Sequence, residues 1–269
     1  MNPENAIKHI VNITDNDLSR YRHYLRHIAP ANKEDIFRRW LFSYASVHTQ
    51  WVMNCRLYNA LQDLKWLGDK KELGRRIKES RAGMHNKRTD FIYEFSQFYW
   101  DHPAWFRKNK FESWPAYRDR LEKAAKGIGI AKAAFVVEMT YPITSDVICV
   151  DTHIFQLYGY TAKGVYNGVS RKKTEAIEEH WTRSCRACRI PPVLARWLYW
   201  DAKQGYSNSR YWSFMFEKEN YHARLDEIAR VAQRQTPVGG YRVEPAARNN
   251  SAVSIVYETV SDASLRRSA

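Results

Sequence analysis

Two short stretches carry residue types that can do chemistry at the spacing in which they occur. In the first, Lys126-Gly127-Ile128-Gly129 separates a helical pattern over residues 117–125 from a second one running from Ile130 to about Tyr141. Two glycines let the backbone turn tightly there. The following helix then presents unpaired N–H groups and the positive end of its dipole. That is an anion site of the size of one phosphate on a nucleic-acid strand, and it reads no bases. A plain helical hairpin has the same pattern. The second stretch is a short extended run over residues 146–150 that leads into Asp151-Thr152-His153-Ile154-Phe155. Asp151 stands where an N-cap belongs, accepting from the first amides of the next helix. A carboxylate held this way keeps a depressed pKa and is a persistent anion beyond the helix end. Capping alone is the ordinary use of such an aspartate.

The elements that must position these groups read as helices. Apolar residues recur at helical spacing over residues 35–45, 54–66, 89–99 and 173–181, and little of the chain alternates with a period of two. Stop and start signals divide them: Gly68, Gly74 and Gly83, then Pro103, Pro115 and Pro142, then Pro191-Pro192. The pattern predicts an all-α chain of about ten helices of ordinary length. There is no internal repeat. From Thr236 the sequence TPVGGYRVEPAARNNS reads as a flexible linker or tail, with an unstructured end expected in preference to a short strand over residues 254–260. The expected organisation has N-terminal helices over 1–43 packing with a second lobe, a central lobe over 44–141 that includes the hairpin at 126–129, a second lobe over 142–235 that carries Asp151, and a tail over 236–269.

Composition narrows the partners. The 269 residues include 43 Lys+Arg against 29 Asp+Glu, a formal net charge of +14, with 44% hydrophobic and 27% charged residues. These values exclude a disordered or fibrous protein and point to a polyanion, nucleic acid before an anionic membrane. Ten Trp, 17 Tyr and 11 Phe include neighbours of basic residues at Arg39-Trp40, Arg196-Trp197 and Arg210-Tyr211-Trp212. Such rings can stack on unpaired bases, although most recur at core spacing. No apolar run is long enough to span a bilayer, and Glu138 interrupts the best candidate, residues 133–139. The first ten residues lack a signal-peptide pattern, so the expected location is the cytoplasm, that of the host if the chain is viral. Cys55, Cys149, Cys185 and Cys188 are expected as free thiols. His180, Cys185 and Cys188 have spacing conceivable for zinc but no evident fourth ligand, so no metal and no cofactor are expected. No G-x-x-x-x-G-K-[ST] loop, G-x-S-x-G or H-E-x-x-H occurs.

Taken together, Gly127-Ile128-Gly129 and the later Val150-Asp151-Thr152-His153-Ile154-Phe155 resemble the helix-hairpin-helix DNA glycosylases, and the second motif is similar to that of endonuclease III. Upstream, Gly83-Met84-His85-Asn86-Lys87 resembles the G-x-x-N-x-K stretch before the hairpin of those enzymes, and residues 43–58 fit their helix bordering the base pocket. The resemblance covers roughly residues 35–216. It implies an all-α, two-lobed fold whose cleft bends double-stranded DNA and takes in an everted base. Asp151 is the residue it carries over as catalytic. Lys126, Gly127, Ile128, Gly129, Lys132, Asn86 and Lys87 become DNA contacts. His48, Gln50 and Trp51 could meet a flipped base by hydrogen bonding and stacking, or could equally be capping residues and a core ring. Arg210 offers a planar fork to a phosphate or to an amino-acid carboxylate.

The departures from that pattern set the expected activity. Bifunctional members of the family place a Schiff-base lysine where this chain has Ala131. Lys132 is the next residue, and one step along a helix turns a side chain by about 100°, which predicts that it points away from the cleft. The four-cysteine iron–sulfur loop is absent. These departures, with the aromatic N-terminal half and the retained V-D-T-H-I, resemble the phage amino acid:DNA transferases. In that family an amino acid, often glycine, replaces the phosphate of 5-phosphomethyluracil in DNA, a thymidine hypermodification that protects phage DNA from restriction. The expected function is that transferase reaction, with DNA and a free amino acid as partners of a monomer that touches no membrane. The alternatives are a monofunctional DNA glycosylase of base excision repair and a non-catalytic DNA-binding module in which Asp151 only caps its helix.

Overall fold

In the computed structural model, short polar side chains open five of the ten α-helices among the described residues. The structure describes residues 2–19, 21, 29–49, 51–161, 164–165 and 168–204. These lie in one unit, Met1–Tyr221; the other, His222–Ala269, lies outside the described residues, as do Gln50, Arg210 and the expected tail. In chain order the helices are α1 (Glu4–Val11), α2 (Lys33–Ala45), α3 (Trp51–Leu61), α4 (Lys70–Glu79), α5 (His85–Asp101), a 3-10 turn (Pro103–Phe106), α6 (Trp114–Ala124), α7 (Ile130–Thr140), α8 (Thr152–Leu157), α9 (Arg171–Ala187) and α10 (Pro192–Gln204). Asn32, Asp69, Ser113, Asp151 and Ser170 each accept a backbone N–H from the first turn of the helix that follows. The fold is all-α, with no strand among the described residues.

Helices α2, α5 and α9 run beyond the expected spans 35–45, 89–99 and 173–181, and two further elements differ more strongly. The helix expected over residues 54–66 begins at Trp51 and stops at Leu61. Beyond it Leu64 takes a positive φ of 61°, and buried Trp66 folds back so that its Nε1 donates to the Leu61 carbonyl at 2.8 Å. The same carbonyl also accepts from Leu64 N at 3.2 Å, so turn and indole together close the helix end. The second difference is α4, which runs through Gly74 although that glycine reads as a breaker. A Cβ at Gly74 would stand 3.4 Å from Thr89 Cγ2, so the missing side chain lets α4 approach α5 closely.

Aromatic residues at helical spacing make the core of the N-terminal half. Phe37 and Trp40 of α2 meet Phe95 and Tyr99 of α5, with ring centroids 5.0 Å apart for Phe37–Tyr99 and 4.7 Å for Trp40–Phe95, and Phe106 closes the cluster at 4.8 Å from Tyr99. These rings are spent on packing, where tilted and edge-on geometry is favourable. Helix α2 packs against α3, α5 and α7, so residues 33–43 share the core of the central helices. Helix α1 instead lies on α9. There His9 Nε2 is 2.8 Å from the Ala195 carbonyl, and its ring lies against Trp181 and Tyr199.

Between α7 and α8 the chain runs through residues 146–150, with Val147, Ile148, Cys149 and Val150 all buried. Among the described residues no strand supplies ladder acceptors, yet buried N–H groups must find partners. Two buried glutamates provide them: Glu178 of α9 accepts from Ile148 N at 3.1 Å, and Glu138 of α7 from Cys149 N at 2.8 Å. Each is matched by a buried arginine, Arg118 of α6 to Glu178 and Arg196 of α10 to Glu138. Trp197 Nε1 also donates to Glu138 Oε2, at 3.3 Å.

The hairpin passes close to α5. Gly127 has φ +84°, and a Cβ there would lie 2.3 Å from Phe91 Cδ2 of α5. Gly127→Ala is therefore expected to lower the unfolding free energy by at least about 2 kcal/mol. Gly129 has φ −94°, and a Cβ added to it would meet nothing within 4 Å. It should tolerate Ala at a cost of about 1 kcal/mol or less; urea denaturation of both variants checks the contrast. Glu138 provides a second expectation. Burial pushes its carboxyl up to about 7, against the pull of Arg196 and of its hydrogen bonds. A raised carboxylate favours the native state while protonated and loses that contribution as pH rises through the folded pKa. Relative to Glu138→Gln, the native chain should lose about 2–3 kcal/mol of stability between pH 5 and pH 8, read from denaturation of both proteins at each pH.

Candidate active site

Asp151 caps α8 from the end of the buried run. Its Oδ1 accepts from Ile154 N at 3.1 Å, and its Oδ2 accepts from Arg196 Nη2 at 2.5 Å. The Asp151 side chain is 21% exposed while those of Arg196 and Glu138 are 2% and 0% exposed, so only the aspartate reaches the mouth of this cluster. Burial pushes the Asp151 carboxyl up. The Arg196 guanidinium, with His153, the Ile154 N–H and Lys132, outweighs it and holds the group below the usual aspartate range. Asp151 is thus an anion throughout the neutral range and a weak proton acceptor.

Lys132 lies on the same side, which corrects the expectation that it turns away from the cleft. Its Nζ stands 5.6 Å from the centroid of the Phe135 ring, and the Arg196 guanidinium is 5.7 Å from that ring. Residues three apart on a helix are neighbours, and the long lysine stem follows its i+3 partner toward Arg196. Burial lowers the Lys132 pKa, and Arg196 adds to that, in spite of the opposing pull of Cys149, Asp151 and Glu138. The site therefore has one carboxylate and two cations over a single aromatic ring, with an amine whose neutral form is made more accessible. The Cys149 thiol behind it is pushed up to about 12 by burial.

The hairpin that opens α7 is held from α2 and α5. Tyr44 OH donates to the Lys126 carbonyl at 3.1 Å and Ser43 Oγ to the Lys132 carbonyl at 3.0 Å, one on each side of the turn. Ile128 is buried as its plug, while Lys126, Gly127 and Gly129 face solvent. Gly129 is the N-cap residue and supplies no side-chain cap, which leaves the first amides of α7 to solvent or to an anion. Lys126 Nζ lies 3.3 Å from Glu94. Asn86 and Lys87 are exposed in the first turn of α5. Phe91, against which Gly127 packs, is only about 6–7 Å further along that helix axis, so the two groups of proposed DNA contacts adjoin.

Met84, just before α5, has φ 50° and is 44% exposed. Buried Arg88 fixes this corner: it donates to the Gly83 carbonyl at 3.0 Å, to Tyr44 O at 2.7 Å and to Val47 O. It thereby shapes the turn that holds His48, whose φ is 50°. The Trp51 ring lies 6.3 Å from Trp200, which in turn lies 6.1 Å from His153, two residues past Asp151. Trp51 is therefore linked to the aspartate by a row of rings. His180 pairs with Tyr158 OH at 2.8 Å, and Cys185 is buried while Cys188 is exposed. Among the described residues no group of three or more His, Cys, Asp and Glu could hold a metal ion, and no helix is long and apolar enough to cross a membrane.

Sequence reasoning missed Glu138 and Arg196 as site residues. The available sign was a charged residue inside the apolar run 133–139, which folds as a buried helix only when that charge has a partner. The partner, 58 residues away, is invisible to local spacing.

The sequence matches no family model and no curated protein. Among solved structures, the fold is similar to the crystal structure of the Methanocaldococcus jannaschii 8-oxoguanine DNA glycosylase, with a TM-score of 0.56 and 21% sequence identity over 74% of this chain and 94% of that one. The chain thus shares the helical fold of that DNA glycosylase.

Proposed function

We propose that this protein acts on a base everted from double-stranded DNA, and that its reaction is the transfer of an amino acid onto 5-phosphomethyluracil. The observation that carries this reading is the convergence of Lys132 and Arg196 on Asp151 at the start of the hairpin helix. The likeness of fold to a DNA glycosylase supports a DNA base as the substrate. In the reaction, the amino nitrogen forms a bond to the 5-methylene carbon, and the carbon–oxygen bond to phosphate breaks with its electron pair going to phosphate. The nitrogen loses a proton, which the departing phosphate takes up so that it leaves as hydrogen phosphate dianion. Asp151 holds and orients the incoming amino group, and its low pKa suits that electrostatic role better than proton abstraction. Lys132 offsets the charge of the phosphate as it leaves.

The placement of Lys132 also favours a second reading, base excision with a covalent step. There the lysine amine attacks C1′ of the sugar, the glycosidic bond breaks with release of the base, and Asp151 stabilises the positive charge that develops at the sugar. This revises the monofunctional form of the glycosylase alternative.

One assay separates the readings. Duplexes containing thymine, 5-hydroxymethyluracil, 5-phosphomethyluracil or 8-oxoguanine are incubated with the protein and a mixture of amino acids, with and without borohydride, then digested and weighed. Transfer yields a heavier nucleoside bearing an amino acid, with glycine expected. Excision yields free base, and borohydride traps a protein–DNA adduct that Lys132→Ala abolishes. In either case Asp151→Asn, which keeps the helix cap, should lower the rate by at least about 100-fold. A rate unchanged in that variant would remove the carboxylate from the chemistry. Duplex binding with no product on any substrate would mark a non-catalytic DNA-binding module.

A further inference from the structure

Arg196 holds a place in this cluster that charge pairing alone does not account for. Its guanidinium spans two carboxylates from different elements, Glu138 of α7 at 3.3 Å and Asp151 at 2.5 Å. With a side chain only 2% exposed it cannot itself meet DNA or a co-substrate, so any effect it has on a reaction passes through Asp151. Both oxygens of Asp151 are engaged, Oδ1 by Ile154 N and Oδ2 by Arg196, which fixes the carboxylate plane from two directions. Glu138 is anchored in turn by Cys149 N and by Trp197 Nε1, the residue next to Arg196 on α10. The chain of contacts closes on itself: α10 holds Asp151, and the run that delivers Asp151 is tied through Glu138 back to α10.

We propose that Arg196 is the positioning residue of the active site, setting the direction of the Asp151 carboxylate from behind while Glu138, itself anchored by Trp197, holds the guanidinium in place. This rests on the reading of Asp151 as the reacting carboxylate. The bidentate reach is what the position requires. A lysine keeps the charge but lacks the planar fork that puts Nη1 on Glu138 and Nη2 on Asp151, so the direction of the Asp151 carboxylate is no longer fixed while net charge is kept.

The test is Arg196→Lys in the full chain. Three properties are compared with the native protein: melting and duplex affinity, the titration of Asp151 by carboxyl carbon NMR assigned with Asp151→Asn, and turnover of glycine with 5-phosphomethyluracil duplex. The groups that also bear on Asp151 are Lys132 and Glu138 of α7, Cys149, His153 of α8 and Tyr199 of α10, and all are unchanged in the variant. The expected result is a folded protein with duplex affinity within about twofold, an Asp151 titration moved upward toward the ordinary aspartate range, and kcat reduced about tenfold or more at unchanged KM. An Asp151 titration and a kcat both equal to the native values would overturn the proposal. Should Arg196→Lys fail to fold, Glu138→Gln removes the charge that holds the guanidinium while keeping an oxygen acceptor for Cys149 N. The same NMR and kinetic changes are then expected in smaller degree, and their absence overturns the proposal equally. A moved Asp151 titration combined with full activity in Asp151→Asn leaves the positioning contact standing and removes instead the reading of Asp151 as the reacting group.

Discussion

A buried, extended segment without a sheet around it is the constraint on which the rest of the structure depends. The chain must leave α7, cross the interior through residues 146–150 and emerge at Asp151, and every amide on that path must find a partner away from water. Carboxylates are unusual acceptors in a core because an isolated buried charge is costly. Here Glu138 and Glu178 take the N–H groups of Cys149 and Ile148, and Arg196 and Arg118 answer their charge. The two glutamates come from different helices on either side of the run, so one requirement of backbone satisfaction joins α6, α7, α9 and α10. Removal of either arginine would leave a buried glutamate without its charge partner, whereas each arginine keeps a second carboxylate, Asp151 for Arg196 and Asp119 for Arg118, if its glutamate is neutralised.

The same requirement sets the chemistry available at the surface. Arg196 reaches past Glu138 to Asp151, so the network that supports the buried run also fixes the electrostatic state of the half-buried Asp151 carboxylate. The hairpin is tied to this frame from its other side. Ser43 and Tyr44 hold the carbonyls of Lys132 and Lys126, and Phe91 fills the space that Gly127 leaves. A phosphate bound at the open amides after Gly129 would thus sit in fixed register with Asp151, because α7 begins at one and leads toward the run that ends at the other. Preorganisation of this kind requires no ligand-driven rearrangement among these residues.

What the sequence made legible is what lies within one or two turns of itself. The hairpin glycines and the cap at Asp151 depend on contacts three or four residues apart, and such contacts leave a pattern in the string, whereas α2, α6 and α9 begin two or three residues before the expected spans and α4 lies outside all of them. Gly74 misled because a glycine that breaks a helix and one that admits a neighbouring helix are the same letter; only Thr89 on the opposite side distinguishes them. Lys132 misled for a different reason. Angular position on a helix fixes Cα and Cβ, but a side chain with four rotatable bonds goes where its partner lies, and its partner is the ring of Phe135 shared with Arg196. Glu138 and Arg196 were legible only as oddities, a charge in an apolar helix and a basic residue beside a tryptophan.

The charge balance of the site bears on both chemistries considered for it. Asp151 and Glu138 face Arg196 and Lys132, and burial works against the charged form of Glu138 and of Lys132 alike, raising the one pKa and lowering the other. Protonation of Glu138 would leave the cluster net positive, suited to a departing phosphate; a neutral Lys132 amine would leave it suited to covalent attack. Both transitions are brought toward the neutral range by the same loss of hydration, and Asp151 alone is driven the other way by its direct contact with Arg196. The site thus combines one fixed anion with two groups whose charge burial makes adjustable. The fixed charge, held in place by a guanidinium that itself never reaches solvent, is the element on which either reaction would have to be built.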